Sequence, residues 1–165
     1  SPGVELVVYN IHLPTPRDEL GTLRGHGFRA ELLRGGGIYS RRNWRQFGDA
    51  FRARLDLVRT LVTILEKEAT PCLLAGDFNC PDDGLIYRTF ARRYTDAFEV
   101  SGRGYGFTFP GKTRNPLALF GPWLRLDYVF AGPHWQPIRC RVERRRPSQH
   151  RAVSASFVFA DPSSR

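Results

Sequence analysis

The sequence predicts an α/β domain of the α+β kind, and three stretches carry that expectation. Cys72-Leu73-Leu74-Ala75 is a short apolar run that stops at Gly76. A polar loop, Asp77-Phe78-Asn79-Cys80-Pro81-Asp82-Asp83-Gly84, follows it, which is the pattern of a buried strand ending in a turn. Just before this run, Phe51, Leu55, Val58, Val62 and Leu65 step by four, three, four and three, the period of a helix with one apolar face. The third stretch is the C-terminal half, where short β-rich segments succeed one another and residues 152–159 alternate. At 165 residues the chain fits one domain, residues 1–165, with room for a real core.

Taken in order, residues 6–13 are β-branched and apolar between Gly3 and Pro14, a strand that ends with His12 at the sheet edge. A lone histidine at a strand end serves structure more often than chemistry. Residues 15–46 read as a long loop with one helical turn at 30–33. Arg24, Arg29, Arg34, Arg41, Arg42 and Arg45 run through it beside Tyr39 and Trp44. Such a loop either grips phosphate and stacks on bases or is a solvated insert. The helix comes next, its stripe widened by Phe47 and Leu61 and assigned to the core, and Pro71 ends it. Residues 85–94 predict a short helix, 94–98 lead to a glycine-rich turn, and 107–109 read as a strand. The apolar connection 117–124 either covers the core or lines a pocket. Residues 126–131 form a strand carrying one carboxylate, Asp127, and strands at 138–143 and 152–159 complete the chain.

Composition bounds the chemistry. Charged residues make up 25% and hydrophobic residues 41%, an ordinary globular balance. The net charge of +9 is almost all arginine, since lysine occurs only at Lys67 and Lys112. Arginine forks match phosphate oxygens, so an anionic substrate is the natural expectation, although a basic surface also serves solubility. Cys72, Cys80 and Cys140 are odd in number and lack C-x-x-C spacing, which argues against a zinc site or a disulfide framework. Reduced thiols fit a cytoplasmic setting by default. No apolar run reaches membrane-spanning length, and no signal-peptide pattern opens the chain.

Four strand ends carry polar groups: His12, Asp77 with Asn79, Asp127, and a turn holding His150. A carboxylate inside an apolar strand is costly unless paired. His150 is the partner expected for Asp127, because a carboxylate on one ring nitrogen fixes the tautomer and raises the basicity of the other.

In that order, Asn10-Ile11-His12-Leu13, Gly76-Asp77-Phe78-Asn79, Arg125-Leu126-Asp127-Tyr128-Val129 and Ser148-Gln149-His150 resemble the motifs of the endonuclease/exonuclease/phosphatase superfamily, the deoxyribonuclease I-like metal-dependent phosphoesterases. The resemblance runs over residues 4–159. It implies a four-layered sandwich of two packed mixed β-sheets flanked by helices. It also implies roles for single residues. His150 acts on the attacking water or on the phosphorus centre, and Asp127 orients it. Asp77 positions or deprotonates the water, Asn79 holds a phosphate oxygen or the nucleophile, and His12 contacts the scissile phosphate. Asn10, Arg125, Arg146 and Arg151 are substrate-binding candidates, the last two from the cluster at 144–151. Mg²⁺ or Mn²⁺ is the implied ion, with Asp77 and Gln149 as its candidate ligands.

Two departures qualify the resemblance. The family domain is longer, and its N-terminal part supplies an early Asn and a metal-binding Glu that residues 1–10 do not match. The chain is therefore expected to correspond to the C-terminal two-thirds of a domain, with a second chain as one source of the remainder. Gln149 also stands where the family carries Asp, so weak Mg²⁺ binding is expected. The leading expectation is a metal-dependent phosphodiester hydrolase, a nuclease acting on DNA or RNA. The alternatives are a phospholipid or sugar-phosphate phosphoesterase, and a degenerate member that binds phosphate without turnover.

Overall fold

A computed structural model describes residues 5–15, 41–111, 121–144 and 148–160. The chain divides into two compact units, Pro14–Leu61 and a larger one made of Ser1–Leu13 with Val62–Arg165. The larger unit is built on a mixed four-stranded sheet in the order β1-β2-β4-β3, with β1 Val7–His12, β2 Cys72–Asp77, β3 Thr95–Asp96 and β4 Asp127–Ala131. β1 and β2 are parallel, whereas β4 runs antiparallel to both β2 and β3. A second, two-stranded antiparallel sheet pairs β5, Trp135–Val142, with β6, Val153–Phe159. The register of this hairpin shifts between Pro137 and Arg139, where proline has no N–H to give the ladder. The architecture is thus α+β with two sheets and helices alongside, as the sequence predicts.

The core is aromatic. Phe78 meets Phe90, Tyr128 and Phe130 at ring-centroid distances of 4.9, 5.5 and 5.3 Å, all edge-on. Phe78, Phe90 and Phe130 are fully buried. Such pairs add about 0.5–1.5 kcal/mol each beyond the area they bury. Phe78 stands between Asp77 and Asn79, so its burial fixes the polar loop from within.

Helix α1 spans Arg41–Leu65, six residues longer at its start than the sequence suggests. Arg41, Arg42, Trp44 and Arg45 are therefore helical rather than in a loop. No glycine or proline interrupts residues 41–47, and arginine and glutamine are good helix formers. Val58, Val62 and Leu65 are buried, but Phe51 is 36% exposed and so is not the core residue the stripe suggests. Among the described residues of Pro14–Leu61, helix α1 is the regular element, and it continues past Leu61 into the larger unit. The expected loop at 15–40 lies outside the described residues beyond Thr15.

Two further elements differ from the sequence reading. Helix α2, Leu85–Ala91, is followed by β3 and a short α3, Ala97–Ser101, where only a connection was expected. Asp96 caps α3 by accepting from the backbone N–H groups of Phe98 and Glu99 at 2.9 and 3.4 Å. Residues 107–109 form no strand but a single bridge, Phe109 to Leu124. Gly104 and Gly106, at φ of 84° and 68°, bend the chain before them, and Pro110 has no N–H to extend the ladder. Of the 117–124 connection, 121–124 is described, and Trp123 there is exposed.

Candidate active site

Strand direction assembles the site. β1 and β2 end together because they are parallel, and β4 begins at the same end because it is antiparallel. His12 is in register with Asp77, and Asp77 with Asp127. Residues directly opposite each other on paired strands project to the same face. One face of one sheet end therefore receives an imidazole and two carboxylates from segments 115 positions apart at the extremes. Asn10, two residues before His12, shares that face and is exposed.

Gly76 makes the close approach between β1 and β2. It lies at φ 143°, and a Cβ there would fall 2.0 Å from the Ile11 carbonyl oxygen. Only glycine allows the Ile11 and Gly76 backbones to meet in this way. Asn79 then turns the loop at φ 49°, a left-handed conformation that asparagine tolerates. Its Nδ2 donates to the Leu13 carbonyl oxygen at 2.9 Å, and its backbone N–H donates to Asp77 Oδ1 at 2.8 Å. Asn79 thus ties the loop to the end of β1 and holds one oxygen of Asp77.

His150 completes the cluster. Its Nδ1 is 2.8 Å from Asp127 Oδ2, and its Nε2 is 3.9 Å from Asp77 Oδ2. His12 Nε2 approaches the same Asp77 oxygen at 4.0 Å from a largely exposed position. Single ligand atoms of Asp77, Asp127 and His150 all lie within 4.8 Å of one another. The hydrogen bond accepted by Asp127 raises the His150 pKa from its ordinary value, against the opposing effect of burial. Burial pushes the Asp77 carboxyl up, and the negative charge of Asp127 adds to it, while the Asn79 N–H works in the other direction. The cluster therefore sets an imidazole bonded through Nδ1 to one carboxylate beside a second carboxylate whose pKa burial and like charge raise, with the His150 and His12 rings acting in the opposite direction.

The remaining predicted residues are placed unequally. Gln149 is exposed, and its backbone carbonyl oxygen accepts from the Gly111 N–H at 2.5 Å. Arg151 is half-buried, with its backbone N–H on the Thr108 carbonyl oxygen at 2.8 Å. Arg146 lies outside the described residues. Arg125 is not an exposed phosphate grip. It is 6% exposed, its Nη1 lies 2.7 Å from Asp96 Oδ2, and its guanidinium sits 4.7 Å from the Tyr128 ring centroid. The guanidinium is thus enclosed by three aromatic rings and by a second carboxylate, Asp82, 3.3 Å from Nε. Two neighbours of the site escaped the sequence reading. Phe109 packs its ring 5.0 Å from the His150 ring, and Thr108, fully buried, accepts from the backbone N–H groups of Leu126 and Asp127. A threonine between two phenylalanines, inside an apolar run, was the available signal.

A family profile described as "Endonuclease/Exonuclease/phosphatase family" matches residues 6–150. The chain belongs to this family. Its members are hydrolases acting on phosphoester bonds. Among solved structures, a functionally unknown conserved protein from Enterococcus faecalis aligns at TM-score 0.51 and 21% identity, over 61% of this chain and 42% of its own. The Bacteroides thetaiotaomicron mannosyl-6-phosphatase aligns at 0.48 and 23%, over 64% and 45%. A 3' phosphatase from Neisseria bound to product DNA hairpin aligns at 0.44 and 20%, over 71% and 55%. The chain thus spans about half the length of these structures or less. No curated protein matches it. No helix among the described residues is long and apolar enough to cross a membrane.

Proposed function

We propose that the chain is a metal-dependent phosphodiester hydrolase that acts on nucleic acid by attack of an activated water on phosphorus. The observation that carries this reading is the Asp127–His150–Asp77 cluster, with a hydrogen bond of 2.8 Å on one side of the imidazole and an open Nε2 on the other. Asp127 holds the Nδ1–H, so Nε2 is the nitrogen that takes a proton. With Nε2 and Asp77 Oδ2 3.9 Å apart, one water oxygen reaches both. In this reading His150 removes the proton as the water oxygen bonds to phosphorus, and the leaving oxygen departs on the opposite side. His12 and Asn10, on the same face, contact the phosphate.

The donor chemistry fits a hard cation. Two carboxylates converge, and the raised pKa of Asp77 reflects burial and like charge, both of which a divalent ion would offset. Asp77 would hold Mg²⁺ or Mn²⁺, with Gln149 as the proposed second donor, and the bound ion would neutralise charge on the phosphate oxygens. The Arg-dominated charge of +9 supports a polyanionic substrate, and Arg41, Arg42 and Arg45 are exposed in the first turns of α1.

The test is nicking of supercoiled plasmid with Mg²⁺ or Mn²⁺, against chelator and Asp77→Ala. Metal-dependent nicking lost in the variant is the expected result. Turnover of bis(p-nitrophenyl) phosphate without nicking would keep the hydrolase and remove the nucleic acid. Silence on both substrates would overturn the reading in favour of a phosphate-binding member without turnover.

A further inference from the structure

The 148–151 turn, which carries His150, and the start of β4, which carries Asp127, are separate in sequence, and both are bonded to the same short segment. Thr108 Oγ1 accepts from the Leu126 N–H at 3.1 Å and the Asp127 N–H at 3.3 Å. The carbonyl oxygen of the same residue accepts from the Arg151 N–H at 2.8 Å. Three residues on, the Gly111 N–H donates to the Gln149 carbonyl oxygen, and between them the Phe109 ring lies 5.0 Å from the imidazole of His150. The segment is itself pinned, since Thr108 and Phe109 donate to the Leu124 carbonyl oxygen at 2.8 and 2.9 Å.

We propose that residues 108–111 are a clip that sets the Asp127–His150 contact, with Thr108 as its positioning residue. The Thr108 hydroxyl is fully buried, and it spends both acceptor sites on the backbone that starts β4. The hydroxyl is therefore aimed at one carboxylate-bearing strand and the carbonyl at the histidine-bearing turn. Gly111 closes the far end: a Cβ there would come within 2.6 Å of the Ser148 carbonyl oxygen and 2.9 Å of that of Gln149. The role rests on the hydrolase reading only for its effect on rate. The contact itself is measurable without turnover.

Thr108→Val keeps the shape and removes the acceptor, Thr108→Ser keeps the acceptor, and Gly111→Ala disturbs the opposite end of the clip. Two readouts separate positioning from mere stability. The first is the downfield ¹H resonance of the His150 Nδ1–H in metal-free protein, the signature of a bond to an ionised carboxylate. It should weaken or move upfield in Thr108→Val and in Gly111→Ala, and return in Thr108→Ser. The second is the rate on whichever phosphodiester the wild type cleaves. There kcat should fall about 10- to 100-fold with little change in KM, as for a small misplacement of catalytic groups, and serine should restore most of it. If Thr108→Val does not fold, Gly111→Ala carries the same test. An unchanged Nδ1–H resonance in a folded variant overturns the clip, whatever the protein hydrolyses. A lost resonance in a protein that never showed activity supports the clip and counts against the hydrolase reading alone.

Discussion

Replacing Asp127 by Asn removes one negative charge from the site while keeping nearly the same shape, so its effects can be worked from the geometry. The wild-type contact is short, 2.8 Å from His150 Nδ1 to Asp127 Oδ2, and half shielded from solvent. A hydrogen bond to a charged group in such a setting is worth about 1.5–3 kcal/mol. It is worth most when the imidazole carries the proton taken from water, which is the state that resembles the transition state. If that whole difference appears in the barrier, the rate falls about 10- to 150-fold. The pH dependence has a definite sign. Asp127 raises the His150 pKa, so the rise of rate with pH, as His150 becomes neutral and able to act as a base, is displaced upward in the wild type. In Asp127→Asn that limb moves to lower pH while the plateau drops. The assay is a pH–rate profile on bis(p-nitrophenyl) phosphate, paired with an NMR titration of His150 in metal-free protein. An acid limb that stays in place, with kcat undiminished, would refute the assignment of His150 as the base and of Asp127 as its partner.

Other perturbations follow from the same contacts. In Asp77 the protonated form is favoured by folding, so the ionised carboxylate costs stability, and stability falls as pH rises through the folded-state pKa. Asp77→Asn, which can still accept from the Asn79 N–H, should raise stability by about 0.5–2 kcal/mol at neutral pH and abolish turnover. Urea melts should show the gain shrinking in acid, where the wild-type carboxyl is also neutral. Gly76→Ala sets a methyl 2.0 Å from the Ile11 carbonyl oxygen at a φ that alanine resists. A loss of roughly 3 kcal/mol or more is expected, read as a fall in the urea midpoint; a near-neutral result would mean that β1 is free to shift. Arg125→Met leaves the buried Asp96 carboxylate without its cation. Thermal melts should show a loss of about 3–5 kcal/mol, with KM unchanged in the folded fraction. A raised KM with intact stability would restore Arg125 to the substrate.

The polar residues of the site were legible for a reason that does not extend to their support. His12, Asp77 and Asp127 each interrupt an apolar run at a strand end, where a charge needs a purpose, and strand periodicity is local enough to read. Their convergence rests on the register His12–Asp77–Asp127, which belongs to the pairing of three strands rather than to any one of them. The order of four motifs stood in for that register. Arg125 shows the limit of this substitution. It sits in a matching motif, and its charge invited a phosphate, but its partner Asp96 lies in a segment with no local mark of burial. Only the fold brings the two within 2.7 Å. Phe51 fails in the opposite sense, since a helical period reports which residues share a face and not what lies against it.

Thr108 and Gly111 are harder still to read, because most of what they contribute passes through backbone groups, and a backbone N–H or carbonyl has no letter in the sequence. The same holds for the Leu13 carbonyl oxygen, which anchors the Asn79 side chain. The polar side chains of the cluster are therefore visible in the sequence, while the hydrogen bonds that set their spacing are visible only once the strands are paired. A variant that keeps every motif residue but replaces Thr108 is accordingly the sharper probe of this site. It leaves the four motifs unaltered and changes only the geometry that connects them.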